Sequence, residues 1–293
     1  MLNMRNIKRQ SLLQKYYCSL NDMPCQKIDE PYINIYVRIT DNCNAHCPFC
    51  TFHKKSRPFD FEKFCDGLIK LASNFNIHKI SFTGGEPTSD YSTLSQIFST
   101  IIRDLKKKHD IFTVVSTNGL QINDILFFHS NYIDSLAFSR HHYDNDINRK
   151  LFGAPNNYFD SIPRDKLHLS CNLIKGYIDS KEEICKYLDW CAEHNIHDVG
   201  FVSLMQVNDY CKEHFVDFKD IIPDKSMRCY KTKDWHKHDN TCQCANYVYI
   251  ASNANVVHFY SRYYAAPGKC ETQPIVYDID HFTYGFNGEE VQI

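Results

Sequence analysis

The sequence predicts an α/β fold built on a parallel sheet, and three observations lead there. Strand-like apolar runs alternate with stretches of helical periodicity from residue 32 to residue 207, the pattern of consecutive βαβ units. A chain of 293 residues is long enough to bury one full core and carry a small appendage. The residues with recognisable chemistry fall directly after strand-like runs, where parallel barrels gather their sites.

Residues 1–32 form a polar N-terminal segment, with a short helix over Ser11–Ser19 and a loop closed by Pro31. Tyr32–Thr40 alternates apolar residues in strand fashion. A helix follows over Asp60–Phe75, with Phe61, Phe64, Leu68 and Leu71 on one face. Ile80–Thr83 is the second strand, and Tyr91–His109 reads as one long helix with Leu94, Ile97, Phe98, Ile101, Ile102 and Leu105 at helical spacing. The third strand is Ile111–Ser116, followed by a short helix over Ile122–His129 and a fourth strand over Ile133–Phe138. Leu167–Ile174, Lys181–His194 and Val199–Met205 complete the pattern as strand, helix and strand. A boundary near Pro223 separates this body, residues 33–225, from a C-terminal extension, residues 226–293. The extension carries a hairpin, Tyr247–Ala251 with Val256–Tyr260, around Ser252-Asn253-Ala254-Asn255.

Composition narrows the function classes. A formal net charge of −2 gives no global field toward nucleic acid or an anionic membrane, so neither partner is expected. No run of 18 apolar residues appears, and Met1–Gln10 lacks an apolar signal core, so the expectation is a cytoplasmic protein. Fourteen cysteines in a chain this long, on alternating strands and helices, read as mostly reduced thiols.

The strongest motif is Cys43-Asn44-Ala45-His46-Cys47-Pro48-Phe49-Cys50, placed directly after the first strand. Three thiolates on one tight loop can hold three irons of a [4Fe–4S] cluster and leave the fourth iron open to a small molecule. Zinc is the competing metal, with His46 or His53 completing a Cys3His site. Zinc does not account for the second motif, Lys79-Ile80-Ser81-Phe82-Thr83-Gly84-Gly85-Glu86-Pro87, a short strand ending in Gly-Gly-Glu-Pro.

The two motifs in this order resemble the radical S-adenosylmethionine (radical SAM) superfamily. The resemblance covers about residues 33–207 and implies a partial (β/α)6 TIM-type barrel whose site lies at the C-terminal ends of the strands. It implies that S-adenosylmethionine chelates the open iron of a cluster on Cys43, Cys47 and Cys50. An electron from the cluster, delivered by an external donor such as flavodoxin or ferredoxin, then cleaves a carbon–sulfur bond. The resulting 5′-deoxyadenosyl radical abstracts hydrogen from the substrate.

The resemblance also assigns cofactor contacts. Gly84, Gly85, Glu86 and Pro87 would bind the amino group, glycines admitting the backbone and the Glu86 carboxylate answering the ammonium. Phe49 stands at the position that contacts adenine in relatives. Ser116 and Asn118 end the third strand, where relatives place polar contacts to the ligand, although Asn118-Gly119 is also a turn. Ser139 and Arg140 end the fourth strand, where the arginine would pair with the methionine carboxylate. Asn172 would reach the ribose, and Leu204 lies in the segment resembling the family's adenine-flanking sixth strand.

Substrate residues are more open. His141 and His142 would sit over the barrel mouth to bind a carboxylate or move a proton, or else belong to a solvated or helix-capping loop. Cys171 would donate a hydrogen atom to a substrate radical, or else is a buried core thiol. Cys229, Cys242, Cys244 and Cys270 raise an auxiliary [4Fe–4S] cluster, zinc, or plain thiols; no cysteine closes the hairpin at Tyr260-Ser261-Arg262, so one cluster leads. The expected enzyme acts on a small molecule in preference to a peptide, because the segment before the first strand is shorter than a recognition domain. A peptide- or protein-modifying maturase and a non-catalytic metal-binding sensor stand as alternatives.

Overall fold

A computed structural model describes residues 32–50, 57–155, 159–160, 162–221, 227–230, 245–251, 256–261, 275–284 and 290. The expected Ser11–Ser19 helix and His53 lie outside the described residues.

Alternating side chains decide how the sheet is buried. In β1 (Tyr32–Thr40), Ile35, Val37 and Ile39 are buried while Asn34, Tyr36 and Arg38 are half-buried. In β5 (Leu167–Leu173), Leu167, Leu169, Cys171 and Leu173 are buried while His168, Ser170 and Asn172 are half-buried. The period of two sorts these sets onto opposite faces. The apolar face lies under helices: Phe82 of β2 (Asn76–Gly84) meets Phe98 at 5.0 Å between ring centroids, and Phe201 of β6 (Asp198–Ser203) meets Tyr187 at 5.4 Å. The opposite face is lined by small and polar side chains.

The helices are α1 (Phe61–Asn74), α2 (Tyr91–Ile97), α3 (Arg103–Lys108), α4 (Asn123–His129), α5 (Asn145–Phe152), α6 (Lys181–Glu193) and α7 (Asp209–Glu213). Asp60 caps α1 by accepting the Lys63 N–H at 3.0 Å, and Ser180 caps α6 by accepting that of Glu183 at 3.2 Å. The single helix expected over Tyr91–His109 is instead α2 and α3 joined by a π-helical turn, Phe98–Ile102. The Ser99 and Thr100 hydroxyls donate back to the Ser95 and Gln96 carbonyls at 2.8 and 2.6 Å, competing for the i−4 carbonyls just where the ladder widens.

With β3 (Phe112–Thr117), β4 (Ser135–Ser139), β7 (Met227–Tyr230), β8 (Ala245–Ala251), β9 (Val256–Ser261), β10 (Ile275–Asp278) and β11 (Phe282–Tyr284), the described strands form one sheet of order β11-β10-β1-β2-β3-β4-β5-β6-β9-β8-β7. Every pairing from β10 through to β9 is parallel. The six expected strands are all present, in chain order. The sheet is not closed, as a partial TIM-type barrel requires. The expected hairpin is β8–β9, paired antiparallel, and β9 lies against β6 as the next parallel strand. Strands from the 226–293 segment thus extend the barrel sheet at both edges.

Candidate active site

The loop carrying the cysteines leaves β1 at Thr40 and is fastened on two sides. Gly85 N–H donates to the Thr40 carbonyl at 2.7 Å, and Glu86 N–H to that of Asn42 at 2.8 Å. On the other side, the His46 N–H donates to the Phe152 carbonyl at 2.7 Å. A Cβ on Gly84, which has φ +129°, would stand 2.4 Å from the Thr40 oxygen, and one on Gly85 would stand 2.1 Å from that of Asn42. Both glycines are therefore required by the contact between β2 and the cysteine loop. The close approach seen among the described residues is internal, to the Thr40 and Asn42 carbonyls.

Glu86 is buried, and both of its carboxylate oxygens accept hydrogen bonds. Oε1 accepts from Thr88 N–H at 3.0 Å, the Thr88 hydroxyl at 2.6 Å and the Thr117 hydroxyl at 2.8 Å; Oε2 accepts from Asn118 N–H at 2.6 Å. Burial pushes the carboxyl above its usual value, against the pull of these donors. These bonds join β2, the Pro87–Ser89 turn and the end of β3 through one side chain. Pro87 opens that turn and is itself buried.

Asn118 lies against the cysteine loop. Its Nδ2 donates to Asn44 Oδ1 at 2.7 Å and lies 3.8 Å from Cys43 Sγ, while its Oδ1 accepts the Leu120 N–H at 3.0 Å. The bond to Leu120 is the turn role, made beside the contact with the loop. Phe49 and Leu204 also converge there, packed in a small apolar cluster with Leu151, Ile174 and Cys211. His141 closes the group. Its ring meets Phe49 edge-on at 4.8 Å and stacks on Phe152 at 4.8 Å, and its Nδ1 accepts the Asn172 N–H at 3.1 Å. Burial pushes its pKa down to about 3, so the imidazole is neutral. His141 is thus a wall behind the cysteine loop.

Three expected site residues point elsewhere. The Arg140 guanidinium lies over Trp190 at 4.7 Å and donates to Asn145 Oδ1 at 2.6 Å. It is turned into the helix layer by strand parity, since Ser139 takes the opposite face, so the expected pairing with a methionine carboxylate is corrected. Cys171 shares the parity of Leu169 and Leu173 and is wholly buried, its thiol 3.5 Å from the His141 carbonyl. Burial raises its pKa well above the usual thiol value. This side chain faces the helices, away from the open face, the placement of a buried core thiol. His142 Nδ1 accepts the Asp144 N–H at 2.9 Å, bracing the N-cap of α5, which is the capping alternative. Ser116, Ser139 and Asn172 do lie half-buried on the face opposite the helices.

Three thiols on one loop are a donor set that fits three irons of a [4Fe–4S] cluster. Cys43 and Cys47 are half-buried and Cys50 is exposed. The Ala45 N–H donates to Cys43 Sγ at 3.4 Å, the kind of outer hydrogen bond that supports a ligating thiolate. A cleft of about 410 Å³ opens beside Cys43, lined by Thr40, Asn42, Asn44, Asp90 and Gln121 among others. Cys242, Cys244 and Cys270, and the side chain of Cys229, lie outside the described residues.

Two contributors escaped the sequence reading. Helix α5 presents the Phe152 carbonyl to His46 and Cys47, and Asn148 Oδ1 accepts the His141 N–H at 2.9 Å. Its boundaries were legible: Asp144 as N-cap and Gly153, at φ +57°, as terminator. The second is a ring of charges. Arg38 donates to Asp41 at 2.6 Å and Asp278 at 2.9 Å, and Arg57 to the same two at 3.1 and 2.9 Å. This ring ties the start of the cysteine loop to β10.

The two joined motifs at the C-terminal ends of parallel strands define the radical SAM class. The family model for the radical SAM superfamily matches residues 37–222. The chain is 27% identical over 196 residues to a GTP 3′,8-cyclase of Limosilactobacillus fermentum, covering 61% of this chain and 56% of that protein. It is 27% identical over 219 residues to the GTP 3′,8-cyclase of Lactiplantibacillus plantarum, covering 67% and 63%. The chain therefore spans a little over half of the length of these curated relatives. Among solved structures, Streptococcus suis SuiB bound to S-adenosylmethionine superimposes with a TM-score of 0.51 at 20% identity, covering 73% of this chain and 48% of that one. The chain belongs to the radical SAM superfamily. It is accordingly an enzyme that uses a [4Fe–4S] cluster and S-adenosylmethionine. No helix among the described residues is long and apolar enough to cross a membrane.

Proposed function

We propose that this enzyme abstracts hydrogen from a small-molecule substrate held on the sheet face opposite the helices, with the cluster on Cys43, Cys47 and Cys50. When bound, the cluster and S-adenosylmethionine supply the reductive cleavage that yields a 5′-deoxyadenosyl radical. The observation that carries this reading is the double fastening of the cysteine loop to Gly85 and Glu86, which brings the two motifs to one strand end.

The chain's own residues do the positioning. Gly84, Gly85, Glu86 and Pro87 would meet the amino group of S-adenosylmethionine, with the Glu86 carboxylate held in place by its internal bonds. Phe49 and Leu204 provide an apolar flank beside Cys47, braced by neutral His141. Ser116, Ser139, Ser170 and Asn172 offer hydrogen-bonding groups along the open face, a lining suited to a polar metabolite. The relatives named GTP 3′,8-cyclase favour a small substrate over a peptide. Flavodoxin or ferredoxin would supply the electron.

The test is anaerobic reconstitution followed by iron analysis and assay of 5′-deoxyadenosine with dithionite. About four irons per chain at the loop are expected for the four-iron site, with 5′-deoxyadenosine formed. Cys47→Ala should abolish both signals. A colourless protein, or turnover surviving Cys47→Ala, overturns the proposal.

A further inference from the structure

Three metal-ligating side chains converge far from the cysteine loop. His168 is the second residue of β5, Asp198 opens β6, and His258 is the third residue of β9. These three strands are neighbours in the sheet. The register pairs Leu169 with Val199 and Gly200 with His258, which puts all three side chains on the face opposite the helices. They sit toward the N-terminal ends of β5 and β6, whereas the cysteine loop leaves the C-terminal end of β1.

The geometry is close to that of a coordination sphere. Asp198 Oδ1 lies 2.7 Å from His168 Nδ1 and 3.1 Å from His258 Nε2, and the three donor atoms fall within 4.8 Å of one another. Zinc–ligand bonds of ~2.0–2.2 Å in a tetrahedron separate the donors by ~3.3–3.5 Å. The two Asp198–histidine separations would each open by about 0.2–0.8 Å to reach that spacing, once the nitrogen-bound protons are displaced. Side-chain exposures of 17%, 17% and 9% give the site an approach from solvent. Gly200, the register partner of His258, adds no side chain to that face.

We infer that His168, Asp198 and His258 form a second metal site, for a zinc-class divalent ion, that clasps the returning strand β9 to β6 and β5. Two imidazoles and one carboxylate with an open fourth position are a donor set zinc accepts readily. The site is structural, since it lies at the other end of the strands from the cysteines.

The test uses the full chain with its cluster loaded, so that the loop thiols are occupied. After anaerobic equilibration with Zn²⁺ and desalting, the wild type should hold one more zinc than either His258→Ala or Asp198→Asn. Co²⁺ should give visible ligand-field bands without the near-ultraviolet thiolate charge-transfer band, and His168→Gln should remove them. Zn²⁺ should also raise the unfolding midpoint of the wild type and not of these variants. Equal zinc content in wild type and variants, or cobalt bound only with thiolate features, overturns the inference. Should a variant fail to fold, the cobalt spectrum of the wild type decides alone. Iron content and 5′-deoxyadenosine formation report separately on the cysteine site, so failure there is distinguishable from failure here.

Discussion

Replacing Glu86 by glutamine changes one oxygen to an amide nitrogen at nearly constant volume, and the structure fixes what that does. The amide oxygen can stay with the three donors now bonded to Oε1, two from Thr88 and one from Thr117. The new NH2 then faces the Asn118 N–H, at an acceptor position 2.6 Å away, and two donors oppose each other. Flipping the amide is worse, because three donors would then meet it. The loss is one hydrogen bond to a charged group, about 1.5–3 kcal/mol, with a buried donor left unsatisfied at about 1–3 kcal/mol. The two overlap, so a destabilisation of about 2–4 kcal/mol is expected, a large share of a typical domain's stability. Urea unfolding of the cluster-free protein measures it directly, alongside S-adenosylmethionine affinity in the reconstituted enzyme. If unfolding free energy changes by less than about 0.5 kcal/mol, within ordinary surface-substitution scatter, the reasoning here is refuted.

Other outcomes follow from the same contacts. Gly85→Ala drives a methyl toward the Asn42 carbonyl and should cost about 2–4 kcal/mol through overpacking and lost loop hydrogen bonds, read as lower iron retention after gel filtration. His141 has a folded pKa near 3 against 6.5 unfolded, so the unfolded chain takes the proton first. Its contribution is whole above about pH 6.5 and is lost as pH falls toward 3, at about 1.4 kcal/mol per unit. His141→Gln should flatten the stability–pH slope between pH 6 and 4, and an unchanged slope would contradict the burial argument. Iodoacetamide applied to the folded cluster-free chain should label exposed Cys50 and Cys185 and leave buried Cys171 and Cys191 unmodified, as mass spectrometry would show. Asp278→Asn should loosen the cysteine loop, seen as faster cluster loss to a chelator, because Arg38 and Arg57 both lose a partner.

Much of the architecture was legible because strand and helix periods are local. Leu68, Leu94 and Ile184 recur at helical spacing and are buried under the sheet's apolar face. The cysteine and glycine motifs were legible because each is a run of adjacent residues. What adjacency could not reveal is parity. Cys171 and Arg140 sit near strand ends, and only counting alternation from Leu169 and Ser139 tells which face each takes. Long-range pairing was hidden for a different reason. Nothing near Val256 or Ile275 announces a parallel partner at β6 or β1, since a buried strand looks alike wherever it inserts. The roles of the glycines were half visible: a tight approach was evident, and its partner, the Asn42 carbonyl, was not.

The ring joining Arg38, Asp41, Arg57 and Asp278 spans 240 residues of sequence between its extreme members. During synthesis, β1 therefore emerges with one flank bare and two guanidinium groups sharing a single carboxylate, until residues 275–278 leave the ribosome. Closing so wide a loop costs entropy that only the finished edge repays, a topology of slow, non-local assembly. The oxygen-labile cofactor is thus housed in a region whose last retaining wall is made long after the loop it holds, which puts a premium on loading it once residues 275–278 have joined the sheet.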